Sequence, residues 1–163
     1  MLPPARTPGR YRIALVCLGN ICRSPMAHVV LERELADAGL GDVVEVTSSG
    51  TGGWHEGNPM DERAAATLTE AGYDPTRHRA RTFDASWYDD HDLVLAMDRD
   101  NLRDIGGSDE RTRLFRDLDP DDPGEEVPDP YYGGPAGFEE VLHMVERTSA
   151  SLVAALQHEL ART

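Results

Sequence analysis

The stretch Arg12-Ile13-Ala14-Leu15-Val16-Cys17-Leu18-Gly19-Asn20-Ile21-Cys22-Arg23-Ser24-Pro25 decides the fold. Its opening residues, Arg12 to Val16, form a short apolar run rich in strand formers, which predicts a buried parallel strand. A turn containing Gly19 follows, and Ser24-Pro25 then opens a helix. Serine is a favoured N-cap, and proline suits the first helical position because the N–H it lacks would have no partner there. Met26, Val29, Val30, Leu31 and Leu35 give that helix one apolar face, with Gly39 as its stop.

Further along, Val43–Val46 reads as a second strand and Asp61–Ala71 as a helix ended by Gly72. Leu93–Met97 reads as a third strand, Arg99–Ile105 as a short helix and Thr112–Phe115 as a fourth strand. The stretch from Asp117 to Pro135, dense in Pro, Gly and Asp, predicts a long loop, a kind of segment that in compact domains is usually functional or disordered. From about Gly137 onward, Phe138, Val141, Leu142, Val145, Leu152, Val153 and Leu156 mark one long amphipathic helix. Strands alternating with helices predict an α/β fold: a single three-layer domain with a four-stranded parallel sheet and helices on both faces. Pro3, Pro4, Pro8 and Gly9 offer little to pack, so residues 1–10 read as a frayed tail and residues 11–163 as the domain.

At 163 residues the chain fits one domain with a real core. The formal charge of −14 argues against a nucleic-acid partner, because phosphate backbones select basic surfaces. No apolar run approaches the roughly 18 residues of a membrane helix, and the start carries no hydrophobic segment, so no membrane association and a cytoplasmic location are expected. The two cysteines, Cys17 and Cys22, are too close for a useful staple, and the six histidines lack metal-type spacing, so no metal site is expected.

A cysteine followed six positions later by arginine is a weak pattern by itself. Between a buried strand and a helix start it gains weight, because loop N–H groups and the helix N-terminus converge there into an anion site. Gly19 supplies backbone freedom, asparagine at position 20 tolerates left-handed geometry, and Arg23 offers a planar fork for two phosphate oxygens. The same positive environment favours a thiolate at Cys17, a nucleophile aimed at phosphorus. A buried structural cysteine in a strand–helix turn is the other reading these residues allow.

The run from Cys17 to Pro25 closely resembles the phosphate loop of the low-molecular-weight protein tyrosine phosphatases, and Asp129-Pro130-Tyr131-Tyr132-Gly133 resembles that family's general-acid loop. Weaker echoes lie between them at Ser48-Ser49-Gly50-Thr51, Gly57-Asn58-Pro59, His78 and Met97-Asp98 followed by Asn101. The resemblance implies that Cys17 attacks phosphorus, that Arg23 and the backbone N–H groups of Leu18, Gly19, Asn20, Ile21, Cys22 and Arg23 cradle the phosphate, and that Ser24 steadies the thiolate. It implies Asp129 as general acid and then base, although by residue type alone Asp117, Asp119, Asp121 and Asp122 compete with it. Asn20, Ser48 and His78 match a polar network that fixes the loop, while Trp54, Tyr131 and Tyr132 match the aromatic walls of the cleft. For Ser24 plain N-capping, for His78 a surface position and for Trp54 ordinary packing remain the alternatives. Cys22 stands where some relatives carry a thiol that forms a reversible disulfide with the nucleophile, and a merely adjacent thiol is the other reading.

The implied activity is hydrolysis of phosphotyrosine in proteins or peptides through a phosphocysteine, with no cofactor and with inorganic phosphate as product and inhibitor. Thioredoxin-coupled arsenate reductases share the loop but need cysteines downstream, and none follows Cys22. A protein-arginine phosphatase is the runner-up; such enzymes tend to carry a small polar residue where this chain has Ile21. A non-catalytic phosphotyrosine-binding module is the third reading, disfavoured because Cys17, Arg23 and Asp129 are all present.

Overall fold

The computed structural model describes residues 2–162. Strand β1 (Tyr11–Cys17) is buried at every position except Arg12. Side chains alternate along a strand, so Tyr11, Ile13, Leu15 and Cys17 join the larger apolar core while Ala14 and Val16 join a smaller one on the opposite face. A strand without a solvated face belongs in mid-sheet. β1 lies between β2 (Val44–Gly50) and β3 (Leu93–Ala96), with β4 (Thr112–Leu114) beyond β3 and every pairing parallel.

Parallel neighbours need crossovers, and these supply the outer layers. Helices α1 (Arg23–Asp37), α2 (Glu62–Glu70) and α5 (Pro135–Ala161) feed the larger core. Helices α3 (Trp87–Asp90) and α4 (Arg99–Asp104) close the other face through Trp87, Tyr88 and Leu102. This is the three-layer α/β arrangement the sequence predicts, with the strand-to-helix turn of residues 18–22 at the C-terminal edge of β1.

Three local readings change. β2 continues to Gly50 instead of ending at Val46, because Thr47, Ser48 and Ser49 interrupt the apolar run without interrupting the pairing with Ala14–Cys17. Ser24 does not cap α1: Cys22 occupies the N-cap and the Ser24 hydroxyl is engaged by Cys17 and Asn20 instead. The start of the chain, expected to fray, is tied to the domain at Leu2, Pro3 and Arg6, while residues 7–10 stay exposed. Leu2 is in the core, the Tyr11 hydroxyl donates to the Pro3 carbonyl at 2.8 Å, and the Asp92 carboxylate accepts from the backbone N–H of both Arg6 and Arg12 at 2.7 Å.

The predicted long loop opens with a 3₁₀ turn (Phe115–Leu118) and is then organised by a buried carboxylate. Asp119 accepts from Arg147 on α5 at 2.8 Å through both oxygens and from Arg116 at 2.9 Å. The Arg116 guanidinium also donates to the Glu126 carbonyl at 2.7 Å, and its backbone carbonyl accepts from Gly124 N–H, so one carboxylate indirectly shapes the return of the loop toward the sheet. The hydrogen bonds from Arg147 hold the Asp119 carboxyl far below the usual carboxylate range, against the opposing effect of burial and with help from Asp121 N–H and Arg116.

Removing one partner of a buried ion cluster strands the others, so Asp119→Asn is expected to lower stability by about 3–5 kcal/mol in urea denaturation. Because the folded-state pKa is depressed, the stabilisation from the carboxylate is complete above the unfolded value of about 4 and is lost as pH falls through the folded value. The gap between wild type and Asp119→Asn is therefore expected to hold steady above about pH 5 and to narrow on further acidification.

Candidate active site

Period-2 alternation turns Cys17 toward the α1 face at the end of β1, and the chain must reverse at once to enter α1. It does so through Asn20, at φ +57° the one non-glycine residue with positive φ among the described residues. The strain is held by bonds from three directions. Asn20 Nδ2 donates to Ser24 Oγ at 2.8 Å, Asn20 Oδ1 accepts from Arg81 N–H at 3.0 Å, and His78 Nε2 lies 2.6 Å from the Asn20 carbonyl. Burial pushes the His78 imidazole below its usual range, partly countered by that carbonyl, so it is neutral near pH 7 and donates through Nε2.

The reversal brings polar groups onto one sulfur. Cys17 Sγ lies 3.0 Å from Ser24 Oγ and 3.3 Å from the Asn20 N–H that points at it. Arg23, the first residue of α1, is almost wholly buried; its Nη1 donates to Asp98 at 2.6 Å and to the Val127 carbonyl at 2.9 Å, and its Nη2 stands 3.6 Å from Asp129. Burial alone would weaken this cation, but the Cys17 side chain beside it, the hydrogen bond and charge of Asp98, and Asp129 outweigh burial and raise the guanidinium above its usual range. Asp129 in turn accepts from Tyr131 N–H at 3.1 Å.

Cys17, Arg23 and Asp129 border one cavity of about 260 Å³. Leu18, Gly19, Ile21 and Cys22 form its loop wall, and Trp54, His55, Tyr131 and Tyr132 complete it. Trp54 and Tyr132, 72% and 91% exposed, stand at the rim. Asn20 and Ser24 are fully buried and do not border this cavity: the Ser24 hydroxyl meets the Cys17 sulfur, where the resemblance puts it, and the Asn20 side chain braces the loop from behind. Ser48 does not reach the Asn20 network: its hydroxyl is 3.1 Å from His28 Nδ1, one turn beyond Ser24 on α1, while the neighbouring Ser49 carbonyl faces Ser24 Oγ at 3.4 Å. Both cysteines are unpaired, and burial, followed by the charge of Asp61, pushes the Cys22 thiol up, so it is protonated at neutral pH.

Sequence reasoning gave no role to Asp98, His55, Arg81 or Gly50. Asp98 and Gly50 stood inside the recognised echoes, but nothing local marks an aspartate as the partner of an arginine 75 residues away. Gly50 is needed for space: a Cβ there would meet the Leu18 carbonyl oxygen at 2.7 Å, Gly19 C at 3.0 Å and Asn20 N at 3.1 Å.

A cysteine cradled by a backbone loop, with a buried arginine at its far end and an aspartate across the cavity, defines a cysteine-dependent phosphatase class. The low molecular weight phosphotyrosine protein phosphatase family matches residues 12–162, and the chain belongs to that family. It is 49% identical to the low molecular weight protein-tyrosine-phosphatase of Streptomyces coelicolor over 92% of this chain and 96% of that protein. It is 44% identical to low molecular weight protein-tyrosine phosphatase A of Mycobacterium tuberculosis over 92% of this chain and 94% of that one. Among solved structures it superposes on YfkJ of Bacillus subtilis with a TM-score of 0.86 at 33% identity, covering 95% and 99% of the two chains. It superposes on the protein tyrosine phosphatase of Entamoeba histolytica with a TM-score of 0.85 at 31% identity, covering 91% and 97%.

Gly50→Ala is expected to leave the protein folded but to weaken binding of inorganic phosphate more than about tenfold, the equivalent of about 1.4 kcal/mol. Titration calorimetry reads the affinity directly; unchanged phosphate binding would mean that the loop tolerates displacement.

Proposed function

We propose that this protein hydrolyses phosphotyrosine in proteins and peptides through a phosphocysteine formed on Cys17. The observation that carries the reading is the single cavity that holds Cys17, Arg23 and Asp129 together beneath an aromatic rim. The Cys17 thiolate attacks phosphorus; the S–P bond forms as the P–O bond to the phenol breaks. Asp129 gives its proton to the departing oxygen. Water then attacks the phosphocysteine, Asp129 takes a proton from it, the S–P bond breaks, and phosphate leaves with the thiolate restored. Arg23 and the loop N–H groups hold the equatorial oxygens, where negative charge must be stabilised in both steps.

Trp54, Tyr131 and Tyr132 suit a phenyl ring, and the apolar Ile21 at the same wall favours an aryl group over a guanidinium. The Streptomyces coelicolor and Mycobacterium tuberculosis relatives are named tyrosine phosphatases, which supports the same substrate class. Phosphotyrosyl proteins as partners, phosphate as product and inhibitor, and a cytoplasmic location go with this reading. Among the described residues no helix is long and apolar enough to cross a membrane.

Multiple turnover on phosphotyrosine peptides without added metal is expected, with none on phosphoserine peptides and none by Cys17→Ser. Asp129→Asn is expected to slow turnover by about 10²–10⁴-fold. Preference for phosphoarginine peptides would overturn the substrate class, and release of at most one phosphate per chain would make the protein a binder.

A further inference from the structure

The first turn of α2 joins the two halves of the site. Asp61, the N-cap of that helix, donates its backbone N–H to the Ile21 carbonyl of the phosphate loop at 2.9 Å. Its carboxylate caps the helix through Arg63 N–H at 2.8 Å and Ala64 N–H at 3.3 Å. The same carboxylate grips the Arg63 guanidinium in a fork, with Nε at 3.2 Å and Nη2 at 3.0 Å. The remaining arm of that guanidinium, Nη1, donates to the Tyr131 carbonyl at 2.9 Å. Its flat face lies over the rings of Tyr131 and Phe138, 5.2 and 4.9 Å from their centroids.

Tyr131 is thus held by its carbonyl while its own N–H holds the Asp129 carboxylate. A continuous path runs Ile21–Asp61–Arg63–Tyr131–Asp129, and every link is a hydrogen bond given above. Resting on the reading of Asp129 as the acid, we propose that Arg63 is a positioning residue that sets the placement of Asp129 against the phosphate loop. Arg63 does not border the cavity, so it acts through Tyr131 and not on the substrate. The role needs a planar fork that serves a carboxylate and a carbonyl at once and also stacks on rings, which lysine cannot reproduce.

A displaced acid affects only reactions in which the leaving group needs a proton, and this separates positioning from mere support. In kcat/KM, which reports the first chemical step, Arg63→Met is expected to lose about 10- to 100-fold on phenyl phosphate, the scale of a misplacement of about 1 Å. On 2,4-dinitrophenyl phosphate, whose phenolate leaves without a proton, it is expected to match wild type. Arg63→Lys is expected to behave like Arg63→Met. The double variant with Asp129→Asn is expected to be no slower on phenyl phosphate than Asp129→Asn alone, because both changes remove one function. The Arg63 side chain is 44% exposed, and thermal melts verify that the variants stay folded. Equal losses on both substrates, additivity with Asp129→Asn, or rescue by lysine would each overturn the proposal while leaving Asp129 as the acid. If Asp129→Asn itself shows no dependence on the leaving group, the acid assignment falls and the role of Arg63 falls with it.

Discussion

The turn at Asn20 is the constraint on which the site depends. A left-handed residue other than glycine costs roughly 1–2 kcal/mol, and the turn survives because Ser24, Arg81 and His78 each hold one face of Asn20. A net hydrogen bond contributes about 1 kcal/mol, so three of them offset the strain. The partners come from two parts of the chain, Ser24 from α1 and His78 and Arg81 from the segment after α2. The turn therefore forms only when α1 and the segment after α2 have docked, and with it the N–H of Asn20 comes to face the sulfur of Cys17. Gly50 makes the remaining room: the loop backbone lies where any side chain on the last residue of β2 would be.

The electrostatics of the cavity are less cationic than a phosphate site suggests. The chain carries −14 overall, and the one arginine on the cavity wall is already shared with Asp98 and faces Asp129. Side-chain charge therefore cannot be the main attraction for a phosphate dianion. On the proposed reading the backbone must do it, through loop N–H groups and the start of a 15-residue helix. Asp98 then has a different part: with the Val127 carbonyl it fixes the direction of the fork, exchanging some attraction for orientation.

The parts legible in the sequence were those whose cause is local. The apolar run of β1, the periodicity of α1 and α5 and the order of strands and helices follow from patterning. Three features escaped because their cause is distant. The polar end of β2 reads as loop until its register with β1 is known. Leu2 and Arg6 look unattached until the core contact of the one and the Asp92 carboxylate on the N–H of the other are seen. Ser24 looks like an N-cap until the sulfur and the amide that claim its hydroxyl are in place. Within the site, recognition named Cys17, Arg23 and Asp129, but only coordinates distinguish residues that face the cavity from those that brace it: Asn20 and Ser24 fall in the second group, and Ser48 pairs with His28 instead.

On the proposed reading, the segment from Asp119 to Gly133 has to place a proton-transferring group without locking it. Asp129 is 3.6 Å from Arg23, beyond a good hydrogen bond, and about a third exposed, so no close ion pair fixes its side chain. The order lies in its neighbours. Upstream, the Asp119 cluster shapes the loop, and Val127 is held by its N–H to Met97 and by its carbonyl to Arg23. Downstream, the Tyr131 carbonyl is held by Arg63. With the backbone fixed two residues away on either side, the carboxylate is placed with only one bond of its own, to Tyr131 N–H.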